Sequence, residues 1–168
     1  MSDLQKLLAM MILRAAPQDL SYSKGLLLGL AAVYVFSGMI ILQTTISPDD
    51  AFIDVVFGLL VQGGFTWVVL NALGKAPRFV QTFSAMLGIG ILLNLLAWPV
   101  FAVLSDSAVD ETVKATMSFA FLMLISWEIL VKGYIFMHAL EMRMTGALAL
   151  SFSLFFISIA LSQLLFTA

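Results

Sequence analysis

Five stretches of this chain each run for roughly 20 residues or more with almost no charge, the length a helix needs to cross a hydrocarbon layer of about 30 Å. They lie at about 25–46, 51–73, 79–104, 115–139 and 146–167. Hydrocarbon offers a backbone amide no partner, so a crossing segment must satisfy its own N–H and C=O groups as a helix. No stretch alternates polar and apolar residues with period two, so a β-barrel is not expected. Composition points the same way. Of the 168 residues, 62% are hydrophobic and 11% charged, whereas a soluble domain has about 25% charged residues. The expected fold is all-α: a polytopic membrane protein of five transmembrane helices plus a short N-terminal interfacial helix.

The connectors mark the boundaries. Ser47-Pro48-Asp49-Asp50 reads as a helix start, with a capping hydroxyl, a proline for the first turn and acids against the positive end of the dipole. Gly74-Lys75-Ala76-Pro77 ends the second span and restarts the chain. Residues 105–114 form the longest polar connector, and 138–146 a shorter one. Pro99 is expected to kink the third span. Ahead of the spans, Leu4, Leu7, Leu8, Met11 and Ile12 recur at helical spacing and Pro17 stops the pattern. That helix is too short to cross. It is expected either flat on the membrane surface or packed on the side of the bundle. The opening MSDLQK is not read as a signal peptide. Residues 1–24 are thus a cytoplasmic amphipathic segment, and 25–168 the five-helix domain.

Orientation follows lysine and arginine in short loops. Lys6, Arg14 and Lys24 precede the first span, Lys75 and Arg78 separate the second and third, and Arg143 separates the fourth and fifth. The other side has Lys114 with Asp49, Asp50, Asp106, Asp110 and Glu111. The N-terminus is expected in the cytoplasm and the C-terminus on the opposite face.

Glu128 and Lys132 interrupt the fourth span. Glu128 falls near the bilayer middle, where a charge on a lone helix costs roughly 2.5–3.5 kcal/mol on insertion scales. The i, i+4 order with the acid first suits an ion pair. Gln62 and Asn94 reach similar depth in the second and third spans. Glu128, Lys132, Gln62 and Asn94 are therefore the candidate intramembrane polar layer. Such a layer serves either as interhelical glue or as a proton relay or polar pocket. Asp54, Gln43 and Gln163 are expected toward the outer interface, where polarity is cheap. Gly25 and Gly29, and Ser158 and Ser162, are small-residue pairs that signal helix contact weakly.

Other chemistry finds little purchase. There is no cysteine and a single histidine, His138. No GxSxG, HExxH or phosphate-cradling loop is present, so an enzyme is not expected. Asp106, Asp110 and Glu111 lack the density of a calcium loop and read as a solvated connector. No metal, cofactor or nucleic-acid partner is expected, since there is no basic patch.

Two stretches resemble Ypt-interacting-protein (YIP) family membrane proteins. In residues 70–100, Gly74, Lys75, Phe79, Gln81, Thr82, Phe83 and Pro99 carry the likeness; in residues 127–150, Trp127, Gly133, His138 and Ala147 do. The resemblance covers roughly 25–168 and implies a five-helix bundle with a cytoplasmic N-terminus. Eukaryotic members take part in vesicle traffic and bind Rab-type GTPases from the cytosolic side, often through a long soluble N-terminal region. With only about two dozen residues there, this chain looks more like the short bacterial members of the inner membrane. The expected function is non-enzymatic: membrane organisation, or scaffolding of another membrane complex, with the bilayer, a membrane protein or a second copy of the chain as partner. The alternative is a small transporter or lipid-handling protein working through the polar layer. A water-accessible cavity reaching Glu128 would favour the alternative, and a sealed layer the scaffold.

Overall fold

The computed structural model describes residues 1–45 and 51–166. It contains six helices: α1 (Asp3–Met11), α2 (Lys24–Thr45), α3 (Ala51–Ala72), α4 (Phe79–Ser105), α5 (Glu111–Leu140) and α6 (Met144–Phe166). Single 3-10 turns stand at Pro17–Asp19 and Ala76–Arg78. There is no strand among the described residues. Helices α2 to α6 are long and apolar enough to cross a membrane, and each coincides with one of the five apolar runs to within a few residues. The protein is an all-α, multi-pass bundle of membrane type. The Ser47–Asp50 helix start lies outside the described residues.

Local chemistry sets the helix ends. Ser2 caps α1: the Gln5 amide donates to its hydroxyl at 3.3 Å, and the Ser2 amide donates back to the Gln5 side chain at 2.9 Å. Asp110 caps α5 by accepting from the Thr112 amide at 3.0 Å. After α3, Gly74 takes a left-handed φ of 69°, which a glycine adopts without a Cβ clash. Pro99 stands inside α4, which stays helical across it.

Helix α4 is the axis of the packing. Residues Thr82 to Gly90 are all buried. Helices α2 and α5 flank it, α6 lies on α5, and α3 leans on α2, α4 and α6. Two glycines on α4 admit neighbours closely. A Cβ on Gly88 would stand 2.5 Å from the Leu7 side chain, and one on Gly90 would stand 2.7 Å from the Tyr34 ring. The outward positions are greasy: Leu28, Phe36, Leu60, Phe119 and Phe156 are all exposed. Water would not favour that surface, and lipid would.

One end of the bundle is clasped. Arg78 donates to the Ala139 carbonyl at 2.9 Å and pairs with Glu141, which also takes Lys75 at 2.5 Å. Gln18 donates to the His138 carbonyl at 2.6 Å, and Gln81 to the Leu20 carbonyl at 2.7 Å. The 17–21 segment and the turns around residues 75 and 141 therefore share one end. The connector at residues 106–110 closes the other. Helix α1 rises from the clasped end alongside α4 and α5. Asp3 accepts from the Ser21 hydroxyl at 3.0 Å, Leu7 lies on Gly88, and the Trp127 indole donates to the Met11 carbonyl at 3.1 Å. Gly88 is nine residues into α4, ~14 Å up the bundle. Of the two placements open for this helix, it takes the one packed on the bundle, with Leu4, Leu8 and Ile12 exposed on its outer side.

Candidate functional site

The alternation of the helices brings Glu128, Lys132 and Gln62 together. The Lys132 ammonium sits 2.6 Å from the Glu128 carboxylate, one turn before it on α5. It also donates to the Gln62 side-chain oxygen, across on α3, at 2.9 Å. Lys132 is thus held by an acid and an amide oxygen, which lowers the cost of its charge away from water. Gln62 is 5% exposed, and its Nε2 has no partner among the described residues.

Asn94 stands apart from this group. Its amide donates to the Ser37 hydroxyl on α2 at 3.4 Å. The reason is height and facing. Asn94 is fifteen residues into α4, ~22 Å above the clasped end, against ~12 Å for Lys132 and ~18 Å for Glu128. It also lies on the side of α4 that packs on α2.

A cavity of about 380 Å³ opens beside the Lys132 pair, between α3, α5 and α6. Glu128, Lys132 and Gln62 line it, as do Tyr34, Asp54 and Gly58. Helix α6 contributes Ser151, Ser158 and Ser162, with Gln163 near its end. A second cavity of about 250 Å³ lies between α2, α3 and α4, with Asn94 in its wall. Both share Tyr34, Asp54 and Gly58. The two hollows therefore border one face of α3. Gly58 keeps that face clear: a Cβ there would meet nothing within 4 Å.

Asp54 stands in the first turn of α3, toward the end where it was expected, but its polarity is not simply interfacial. One carboxyl oxygen, Oδ1, is buried and has no partner among the described residues. Height along the span was right, but height alone does not say which way a side chain near a helix end faces. Asp54, Gly58 and Gln62 fall at i, i+4, i+8 on one face of α3, and that spacing could have found it. The same holds for Ser151, Ser158 and Ser162 on α6. Gln43 is exposed, as expected. The Gly25–Gly29 pair makes no close approach to another helix: Gly29 has open space, and Gly25 meets only Ser23. Tyr34 carried no sequence signal. It is set by Gly90, whose missing side chain admits its ring.

Two carboxyl groups, one ammonium already engaged, an amide donor without a partner among the described residues and several hydroxyls line a space large enough for a small molecule. Among the described residues no three His, Cys, Asp or Glu side chains form a group that could hold a metal ion. Comparison of the chain with protein-family models, with characterised proteins and with solved structures gave no match.

Proposed function

We propose that this protein is a non-enzymatic membrane protein that binds a small polar molecule, or the polar head of a lipid, inside its helical bundle. It acts as a small transporter or lipid-handling protein. The observation that carries this is the 380 Å³ cavity reaching the Lys132–Glu128 pair. A scaffold role needs a sealed layer in which the polar groups satisfy one another. Instead Gln62 Nε2 and Asp54 Oδ1, both on residues that line the cavity, have no partner among the described residues, and buried polar atoms without partners are rare in native structures. A bound molecule that pairs with them accounts for both.

The bias of basic residues toward the clasped end supports a cytoplasmic N-terminus and a C-terminus on the far face. The resemblance to YIP-family proteins, in its short bacterial form, belongs to the same proposal and supports an inner membrane as the location.

The test is retention. The full chain is purified in mild detergent beside a Gly58→Leu variant, whose side chain enters the cavity at a point where a Cβ meets nothing within 4 Å. Native mass spectrometry then reads the small molecules and lipids that stay bound. A species held at one per chain by the native protein and lost from Gly58→Leu supports the role. Equal retention by both, or none by either, contradicts it.

A further inference from the structure

We infer that the cavity takes an organic cation, with the Asp54 carboxylate as its counter-charge. This rests on the ligand-binding role proposed above and names the class of ligand. The charges facing the cavity are Asp54, Glu128 and Lys132. Lys132 is already spent on Glu128 at 2.6 Å and Gln62 at 2.9 Å, so one acid and one base cancel. Asp54 is left, with its Oδ1 buried and unpartnered among the described residues. A carboxylate in that setting is costly unless a positive group joins it. An anion would meet two acids and an ammonium that is already committed.

A second observation points into the same space. Gln62 is 5% exposed, its oxygen is taken by Lys132, and its Nε2 hydrogens have no acceptor among the described residues. They suit an oxygen on the ligand. Asp54 and Gln62 are eight residues apart on α3, ~12 Å along the axis. A cation with one ring or a short chain fits between them with its charge at Asp54, and an acceptor atom at its far end, where it has one, adds a contact to Gln62. Tyr34 and Phe155 line the walls, and aromatic faces attract ammonium groups. The approach is favourable too. Asp106, Asp110 and Glu111 stand at the same end of the bundle as Asp54, and a concentration of negative charge draws cations toward it.

The test uses two probes of similar size, benzyltrimethylammonium and benzylsulfonate. Each is titrated by calorimetry into the full chain in detergent, with detergent alone as blank. Benzyltrimethylammonium is expected to bind at one per chain, and benzylsulfonate not to bind. Asp54→Asn is expected to weaken the cation by about tenfold or more, and Asp54→Glu to keep most of the affinity. Asp54→Asn replaces a carboxyl whose Oδ1 is buried without a partner among the described residues, so its melting temperature is expected to equal or exceed that of the native chain. Benzylsulfonate binding as well as the cation overturns the inference. So does an Asp54→Asn variant that binds the cation unchanged, or a failure of benzyltrimethylammonium to bind at all. In each of these cases, loss of the co-purifying species from Gly58→Leu would still uphold the cavity as a binding site. If Gly58→Leu also retains that species, the binding role falls with the inference.

Discussion

At the scale of single residues, the ion pair at mid-bundle makes the clearest demand. Lys132→Met would leave Glu128 without its cation. A fully buried pair broken this way loses about 3–5 kcal/mol. Glu128 keeps 34% of its side chain exposed, so a loss of about 2 kcal/mol is expected, water screening the rest. Adding Glu128→Gln should recover much of it, because the stranded charge is then gone. Thermal unfolding of the two variants in detergent checks this; equal losses would mean that the pair is not coupled. Glu141 gives a second expectation. Hydrogen bonds from Lys75 and Arg78 hold its carboxyl down to about 2 from an ordinary 4.5. Its folded value is depressed, so the clasp contributes stability above about pH 4.5 and loses it as pH falls toward 2. A Glu141→Gln variant should melt below the native chain at neutral pH, and the two should converge near pH 2. Glu128 and Lys132 were legible as residues because charge in an apolar run is conspicuous. Asp54 was not, since height along a span says nothing about which face a side chain occupies.

At the scale of elements, the five long helices were legible to within about four residues, the largest miss being α5, which starts at Glu111 inside the expected polar connector. Their apolar runs and turn residues set the boundaries with no help from tertiary contacts. The placement of α1 was less so. Its apolar spacing fitted both a membrane surface and a protein groove, and the choice is made by a residue far away in sequence, Gly88. Leu7 can lie there only because α4 has no side chain at that point. Gly88→Leu is therefore expected to lift α1 from the bundle. The Trp127–Met11 hydrogen bond should break, and trypsin should cut faster at Arg14. An unchanged digestion pattern and unchanged tryptophan emission would show that α1 is held by other contacts. Asn94 teaches a related point. Depth suggested that it joins Glu128, but the extensive packing of α4 on α2 turns it toward Ser37 instead.

For the whole molecule, the bundle separates a clasped basic end from an acidic one, with a polar hollow between and a greasy outer surface. Helix count and the turns that share an end followed from the sequence; the hollow did not, because a cavity is a property of how faces meet. The chain has no cysteine of its own, so single introduced thiols report cleanly. Lys75→Cys and Arg143→Cys are expected to label from the same side of sealed vesicles, and labelling from opposite sides would refute the five-span arrangement. The most direct measurement compares two neighbours on α3. Gly58 faces the cavity and Leu60 faces outward, 65% exposed. With the protein in lipid vesicles, a small charged thiol reagent should modify the Gly58→Cys variant quickly and Leu60→Cys hardly at all. Equal protection of both positions, or faster reaction at position 60, would contradict a water-reachable polar hollow inside the membrane bundle.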